Sequence, residues 1–237
     1  MTVSEKQTNT LNMPTPQKLK AIFYPEEYYH IVCKSIDGLL LFDDGQDYEV
    51  YNERFKKFTG DFFDVWCFCL IPNHSHHIIK IKSVSSVSLF IEAISLEDKT
   101  MAMKDFTTEV SNELLFNKMI ERQMNSFLVS YANYVNNKYY RKGGIFQKPF
   151  KRIKIEGDGH LQQAIIYVHA NAQKHKMIAD YKQYNHSSYA SVITKDEYFV
   201  DAKSVVGFFG GLNKFIDLHE LQVDYFYKNN WPSSKLE

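Results

Sequence analysis

Apolar residues follow two different spacings along the middle of this chain, and the spacing changes from one segment to the next. Alternating or continuous apolar runs predict strands, and apolar positions three or four residues apart predict helices. We expect, in chain order, a strand pair or one long bent strand over 28–42, a helix over 46–58, a buried strand over 65–71, a second strand over 74–82, a long helix over 114–139, a strand or hairpin arm over 145–155 and a last core helix over about 160–173. This order predicts an α+β, ferredoxin-like sandwich with a central antiparallel sheet and helices packed on one face.

The predicted elements form one continuous region, which we interpret as a single principal domain over residues 25–190, since a chain of 237 residues can bury one good core. The polar segment 1–24 is expected to be a disordered or loosely packed lead-in. Residues 83–112 lack clear periodicity and predict a partly helical surface insertion. Residues 191–237 are expected to form a C-terminal extension packed on the domain, with a short helix near 201–207.

The composition, with 44% hydrophobic and 24% charged residues, is that of an ordinary globular protein. No apolar run is long enough to cross a membrane, and the N-terminal segment lacks the apolar region of a secretion signal. We therefore expect a cytoplasmic protein with no membrane partner. Cys67 and Cys69 are two residues apart on a predicted strand and are interpreted as reduced core residues, because no second Cys/His pair at zinc-finger spacing follows them.

Positive charge is concentrated in one segment although the formal net charge is zero. Between residues 138 and 154 there are seven basic residues and no acidic one, with four aromatic residues interleaved. Such a strip can attract phosphates and stack bases, but a solvated hairpin with inward-packed aromatics would show the same pattern. The candidate DNA-binding residues are Lys138, Arg141, Lys142, Lys148, Lys151, Arg152 and Lys154, and the interleaved aromatics are Tyr139, Tyr140, Phe146 and Phe150.

Two histidines open the second predicted strand of the 65–82 region, directly after the turn at Pro72-Asn73. Because side chains alternate along a strand, His74 and His76 lie on one face, close enough to share a cation. They could equally be hydrogen-bonded polar residues at the start of a strand, because His-x-His is a common pattern. His77 points to the other face and is interpreted as structural.

The last predicted helix places a phenol and an amide together, away from its apolar stripe. Tyr167 and Asn171 are four residues apart, so they are stacked one turn apart on a flank that also carries Lys174. A nucleophile beside a metal ligand would suit this flank, and so would a half-buried tyrosine at the edge of the sheet. His169 lies on a different face and is interpreted as structural.

Two segments resemble the single-tyrosine transposases of the HUH superfamily. LIPNHSHHIIKI (70–81) resembles their His-hydrophobe-His strand. GGIFQKPFKRIKI followed by YVHANAQKH (167–175) resembles the stretch leading into and through their tyrosine helix, and YNHSSY (184–189) resembles the segment after it. The resemblance covers roughly residues 25–190 and is nearest to the REP-associated tyrosine transposases and their insertion-sequence (IS200-like) relatives.

The resemblance implies an HUH-type fold and DNA transposition by cleavage and rejoining of single-stranded, hairpin-forming DNA. It implies that Tyr167 is the nucleophile that forms a 5′-phosphotyrosine intermediate, and that His74, His76 and Asn171 bind Mg²⁺ or Mn²⁺. Relatives act either as monomers or as homodimers, so both states are expected alternatives. Four other tyrosines compete for the nucleophile role on composition alone, namely Tyr131, Tyr134, Tyr139 and Tyr140.

Two positions depart from the family pattern. Ser75 replaces a bulky apolar residue, which is expected to loosen the packing behind the histidines. Ala172 replaces a proline, so we expect that the helix carrying Tyr167 can continue beyond this position. These departures favour an alternative function, a non-catalytic DNA-binding protein derived from such an enzyme, whereas retention of both histidines, Tyr167 and Asn171 disfavours it. A third alternative is a replication initiator or relaxase of the same superfamily. Those proteins have a different pattern, often with a third histidine in the cluster or paired tyrosines on the helix.

Overall fold

The computed structural model of the chain describes residues 20–108 and 112–228. Four strands form a single sheet, β1 (Tyr28–Lys34), β2 (Phe63–Ile71), β3 (His74–Ile81) and β4 (Lys151–Ile155). The helices are α1 (Gly45–Thr59), α2 (Val84–Ala93), α3 (Met101–Thr108), α4 (Glu113–Lys138), α5 (Asp158–His169), α6 (Asn171–Lys174), α7 (Tyr189–Thr194), α8 (Ala202–Phe208) and α9 (Leu212–Lys228).

The strand order in the sheet is β2-β3-β1-β4, and every neighbouring pair is antiparallel. The two central strands, β1 and β3, are therefore neighbours in space although α1 and β2 separate them in the chain. With α1 between β1 and β2, and α4 between β3 and β4, this is the ferredoxin-like order that the sequence predicts. The predicted α+β class and antiparallel sheet are confirmed.

Helices cover both faces of this sheet. On one face, Phe55 of α1 stacks on His77 of β3 with ring centroids 4.4 Å apart, and Tyr51 of α1 meets Phe127 of α4 edge-on at 4.9 Å. On the other face, α5 contacts β2 and β3, and its Tyr167 lies against His76. The prediction of helices on one face therefore holds for α1 and α4 only. Strands β2 and β3 are buried almost throughout because both of their faces are covered.

The predicted strand over 28–42 ends early because the chain turns. Asp37 and Gly38 both have positive φ angles, 49° and 69°, and the amide of Leu39 donates to the carbonyl of Ile36. A glycine adopts such a backbone conformation at low cost, so Gly38 marks the turn that the sequence indicated. The predicted strand over 145–155 is likewise shorter, and only 151–155 forms β4. Residues 145–147 instead run beside the end of β1. There the amide of Ile36 donates to the carbonyl of Ile145, and the amide of Gln147 donates to the carbonyl of Lys34.

The lead-in, the insertion and the C-terminal extension each contribute buried side chains. Of the predicted lead-in, residues 1–19 lie outside the described residues, but Phe23 is fully buried and donates its amide to Asn117 of α4. The predicted insertion contains α2 and α3, whose Ile91 and Phe106 are fully buried. In the predicted extension, the helix expected near 201–207 is α8, and α9 follows it with Phe215 and His219 fully buried.

Candidate active site

The strand register brings three histidines onto the face of the sheet that α5 covers. In β3, His74 is paired with Lys34 and His76 with Val32, and two positions further along His30 is paired with Ile78. Directly paired residues of antiparallel strands project to the same side, so His30, His74 and His76 share a face. The predicted common face of His74 and His76 is thus present, and β1 adds a third imidazole that sequence spacing does not reveal.

The three imidazoles are in contact, and the hydrogen bond of His74 indicates which of its two nitrogens carries the proton. His30 Nε2 and His76 Nδ1 are 2.9 Å apart, and the ring centroids of His74 and His76 are 4.9 Å apart. His74 Nδ1 lies 2.7 Å from Asn73 Oδ1. Because an amide oxygen only accepts, His74 donates through Nδ1, so in its neutral form Nε2 carries the lone pair.

His76 is held in its neutral form. Its side chain is 1% exposed, and burial lowers the pKa of His76 well below the usual value, with further lowering by the neighbouring imidazoles of His30 and His74. Within the described part of the chain, His76 Nε2 has no hydrogen-bond partner although it is buried. A neutral imidazole with a buried, unsatisfied nitrogen is suited to binding an electron-pair acceptor.

Tyr167 of α5 lies over this histidine group. Its ring centroid is 5.9 Å from that of His76 and 6.0 Å from that of His30, in edge-on geometry at both contacts. The Lys174 ammonium donates a hydrogen bond to the Tyr167 hydroxyl at 3.2 Å and lies 4.9 Å from the centroid of its ring. A positive charge at this distance stabilises negative charge that develops on the phenol oxygen. Tyr167 is 0% exposed rather than half-buried at an edge.

Asn171 lies at a break in the tyrosine helix. α5 ends at His169, Ala170 follows, and α6 begins at Asn171 and ends at Lys174, so the helix does not run on as the alanine at position 172 suggested it could. Both polar atoms of the Asn171 amide are buried and lack a hydrogen-bond partner among the described residues. A buried amide normally has partners, so these atoms are available to a ligand.

The chain around Asn171 approaches the histidines at two points. α6 contacts β2, in which Cys69 is the direct strand partner of His76. His175 meets the ring of His74 edge-on, with centroids 5.1 Å apart. These contacts place α6 over the end of the sheet that carries His74 and His76.

The donor types of the predicted ligand set suit a divalent cation. His74 Nε2 carries a lone pair, and His76 Nε2 and the Asn171 amide are buried and unsatisfied. Across the described residues, no three His, Cys, Asp or Glu side chains form a group that could hold a metal ion. The predicted set of two histidines and one amide is a different combination of donors.

Ser75 does not loosen the packing behind the histidines. It is fully buried on the opposite face, where its Oγ is 2.6 Å from the hydroxyl of Tyr51. On that face His77 is stacked on Phe55, and burial lowers the pKa of His77 to about 3. His77 is therefore placed as a structural residue.

His169 is also placed structurally, in a buried chain of hydrogen bonds. Its Nδ1 is 2.9 Å from His219 Nε2 in α9, and its Nε2 is 2.8 Å from the hydroxyl of Ser188. His219 Nδ1 donates to the carbonyl of Phe215 at 2.7 Å, so His219 Nε2 accepts and His169 donates. This chain fixes α5 against α9.

The basic strip is divided by the structure into paired and unpaired residues. Lys138 bridges Asp44 and Asp47 at 2.7 Å, Arg152 forms an ion pair with Glu121, and Lys154 lies 3.1 Å from Glu27. In the described residues, no ion pair involves the other four strip members, Arg141, Lys142, Lys148 and Lys151. Of the interleaved aromatics, Tyr140 is 97% exposed and Phe146 and Phe150 are buried.

The competing tyrosines lie away from the histidine group. The Tyr131 hydroxyl donates to the carbonyl of Leu41, and those of Tyr134 and Tyr139 donate to Asp47. All three therefore have structural partners where α1 meets α4. Tyr140 lies just after the end of α4 and is exposed.

Three residues of the site were not predicted as site residues. His30 has no sequence signal, because its contact with His76 depends on the pairing of β1 with β3. Lys174 and His175 lie within the helix segment that resembles the transposases, and the position of Lys174 on the flank of Tyr167 was the available signal. Cys67 and Cys69 are buried free thiols, as predicted.

No protein-family model matches this chain, and no curated protein matches it. Its structure is similar to that of a REP-associated tyrosine transposase bound to a REP hairpin, with a TM-score of 0.47 and 14% sequence identity over 76% of this chain and 87% of that one. Among the described residues, no helix is long and apolar enough to span a membrane. At this level of identity, the function of the chain is inferred from its own side chains.

Proposed function

We propose that this protein cleaves and rejoins single-stranded DNA, with Tyr167 as the nucleophile. The observation that carries the proposal is the contact of one phenol with a lysine ammonium on one side and the neutral, buried imidazole of His76 on the other. A phenol is a weak nucleophile unless a neighbouring cation or base favours its deprotonated form. The surroundings of Tyr167 meet that requirement.

In the proposed reaction, the Tyr167 oxygen forms a bond to phosphorus as the bond from phosphorus to the 3′ oxygen breaks. The products are a 5′-phosphotyrosine and a free 3′-hydroxyl, so the proton lost by the phenol is balanced by the one gained by the leaving oxygen. Lys174 stabilises the charge on the phenol oxygen before attack. Reversal with a different 3′-hydroxyl rejoins strands and needs no external energy source, which is the chemistry of DNA transposition.

We propose that His74, His76 and Asn171 hold a divalent cation, Mg²⁺ or Mn²⁺. When bound, such a cation would act as a Lewis acid that offsets charge developing on the scissile phosphate. The support lies in the unsatisfied, buried His76 Nε2 and Asn171 amide. The His30–His76 hydrogen bond would orient the ligand imidazole, as partners of metal-bound histidines commonly do.

A single chain holds the complete set of proposed groups, because Tyr167 contacts His76 of its own chain. This arrangement supports cleavage by a monomer. A homodimer that exchanges tyrosine helices would need α5 to leave the sheet, and the His169–His219 bond opposes that movement.

A cleavage assay on a labelled single-stranded oligonucleotide with a hairpin tests the proposal. With Mn²⁺ we expect a product with a free 3′-hydroxyl, and chelator should abolish it. His74→Ala should also remove cleavage. The matched change His160→Ala, in the first turn of α5, should leave cleavage unchanged. Cleavage that persists in chelator would contradict the metal assignment.

A non-catalytic DNA-binding protein is the second candidate, and the complete burial of Tyr167 favours it. A buried nucleophile reaches a phosphate only if the site opens. DNA binding without cleavage in Mg²⁺ or Mn²⁺, for every hairpin substrate offered, would support this candidate against the enzyme.

A further inference from the structure

Two lysines flank the histidine group on its own face of the sheet. Lys34, at the end of β1, is the direct strand partner of His74. Lys151, in β4, is paired with Val32, which is in turn paired with His76. Paired residues project to the same side, so Lys34 and Lys151 lie on the histidine-bearing face. Arg152 and Lys154 are paired with Ile31 and Tyr29, so both project to the opposite face.

The partners of these residues support that division. Arg152 forms an ion pair with Glu121 of α4, on the face covered by α1 and α4, and Lys154 forms one with Glu27. Within the described ranges, neither Lys34 nor Lys151 has a carboxylate partner. Lys34 is exposed and Lys151 is half-buried. Two lysines with unneutralised charge therefore stand beside the site, and the neighbouring basic residues of β4 are already neutralised.

We propose that Lys34 and Lys151 bind the phosphates of the DNA strand next to the scissile one. Directly paired residues lie about 5 Å apart between Cα atoms, and neighbouring strands are about 5 Å apart. Lys34 is thus one strand spacing from His74, and Lys151 is two from His76. A backbone bound by both lysines crosses the part of the histidine-bearing face that β1 and β4 form, beside His74 and His76. The inference rests on the proposed function for the identity of the ligand.

The two proposed phosphate ligands lie on one face of the sheet, whereas the basic strip predicted from the sequence includes residues on both faces. Lys34 lies outside the segment 138–154, and Arg152, Lys154 and Lys138 lie within it but carry ion pairs. Phosphate binding by these three would require each to exchange a carboxylate for a phosphate. Lys34 and Lys151 need no such exchange.

Fluorescence anisotropy with a labelled single-stranded hairpin oligonucleotide, over a range of salt concentrations, tests the inference on the full-length protein. Lys34→Gln and Lys151→Gln should each weaken binding several-fold and reduce the slope of log K against log salt by about 0.7, the contribution of one phosphate contact on a single strand. Arginine at either position should restore the slope. Lys154→Gln is the matched control on the same strand and should leave the slope unchanged.

Equal slopes for the wild type, Lys34→Gln and Lys151→Gln would overturn the inference, and so would a larger loss with Lys154→Gln. Absence of DNA binding by the wild type would overturn it as well. Failure of the proposed function has a different signature, because the wild type would then bind DNA with the lysine-dependent slope but form no cleaved product. Thermal unfolding of each variant checks that the substitution leaves the fold intact.

Discussion

Ser75 lies between His74 and His76 in the chain, but its side chain belongs to the other face of the sheet. There its hydroxyl and that of Tyr51 are 2.6 Å apart, and both side chains are fully buried. A serine at this position therefore satisfies a buried phenol, and a bulky apolar residue would leave that phenol without this partner. The partner of this serine is thus a tyrosine on α1, 24 residues earlier.

We expect Ser75→Val to destabilise the protein by about 1–3 kcal/mol, because it removes a hydrogen-bond partner from a buried hydroxyl. Urea unfolding followed by circular dichroism measures this change. Adding Tyr51→Phe should recover part of the loss, since the double variant leaves no unsatisfied hydroxyl. If the two changes are simply additive, the hydrogen bond does not contribute to stability.

At the scale of elements, Asp47 ties α1 to α4. Its carboxylate is fully buried and accepts hydrogen bonds from Lys138 and Tyr139, both at 2.7 Å, and from the amide of Asp43 at 2.8 Å. Burial raises the pKa of Asp47, but these hydrogen bonds outweigh burial and lower it to about 2. Lys138 thus stabilises the junction of two helices, although its sequence neighbours suggested a phosphate ligand.

Asp47→Asn should destabilise the protein by about 1.5–3 kcal/mol, because an amide replaces a buried carboxylate that accepts hydrogen bonds from Lys138 and Tyr139, although Lys138 keeps its ion pair with Asp44. Asp43→Asn is the matched control, since the Asp43 side chain is exposed and only its backbone amide takes part. Chemical denaturation of the two variants at neutral pH provides the comparison. Similar stabilities for both would show that the buried ion pair is unimportant.

The elements themselves could largely be predicted from sequence, because local spacing determines them. The predicted helix over 46–58 and strand over 65–71 differ from α1 and β2 by two residues or fewer at each end. The apolar spacing in 212–223, with Leu212, Phe215 and Ile216, was an available signal for α9, because the only helix predicted in the extension was the short one near 201–207. Contacts between distant segments could not be predicted, since neither Glu121 beside Arg152 nor His30 beside His76 has a local signal.

At the scale of the whole molecule, the C-terminal extension is part of the core that holds the tyrosine helix. His219 of α9 is fully buried and is bonded to His169, two residues after Tyr167. His169 is hydrogen-bonded in turn to the hydroxyl of Ser188, which accepts a hydrogen bond from the backbone amide of Phe68 in β2. α9, α5 and the sheet are therefore connected by one buried chain of hydrogen bonds, which requires a neutral His219 because its Nε2 accepts.

This chain predicts a loss of stability in mild acid. Burial lowers the pKa of His219 to about 4, outweighing the hydrogen bond to Phe215 that raises it, whereas an unfolded histidine has a pKa near 6.5. Below pH 6.5 the unfolded chain takes up a proton that the folded chain does not, so stability falls as the pH falls towards 4. At pH 5.5 this proton uptake at His219 lowers the free energy of unfolding by about 1 kcal/mol.

Urea unfolding at pH 7.5 and pH 5.5 measures this dependence, with His219→Gln as the comparison. The variant is less stable at both pH values but should lose less stability between them than the wild type. An equal loss in the two proteins would show that His219 is not the group responsible.

The central claim, that Tyr167 is the nucleophile, is tested most directly by trapping the covalent protein–DNA adduct. Wild-type protein incubated with Mn²⁺ and a labelled single-stranded hairpin oligonucleotide should give a band on a denaturing gel that contains both protein and DNA. Tyr167→Phe, which removes only the hydroxyl, should give no such band, whereas Tyr140→Phe, at an exposed position just after α4, should give it at the wild-type level. An adduct formed by Tyr167→Phe would contradict the account.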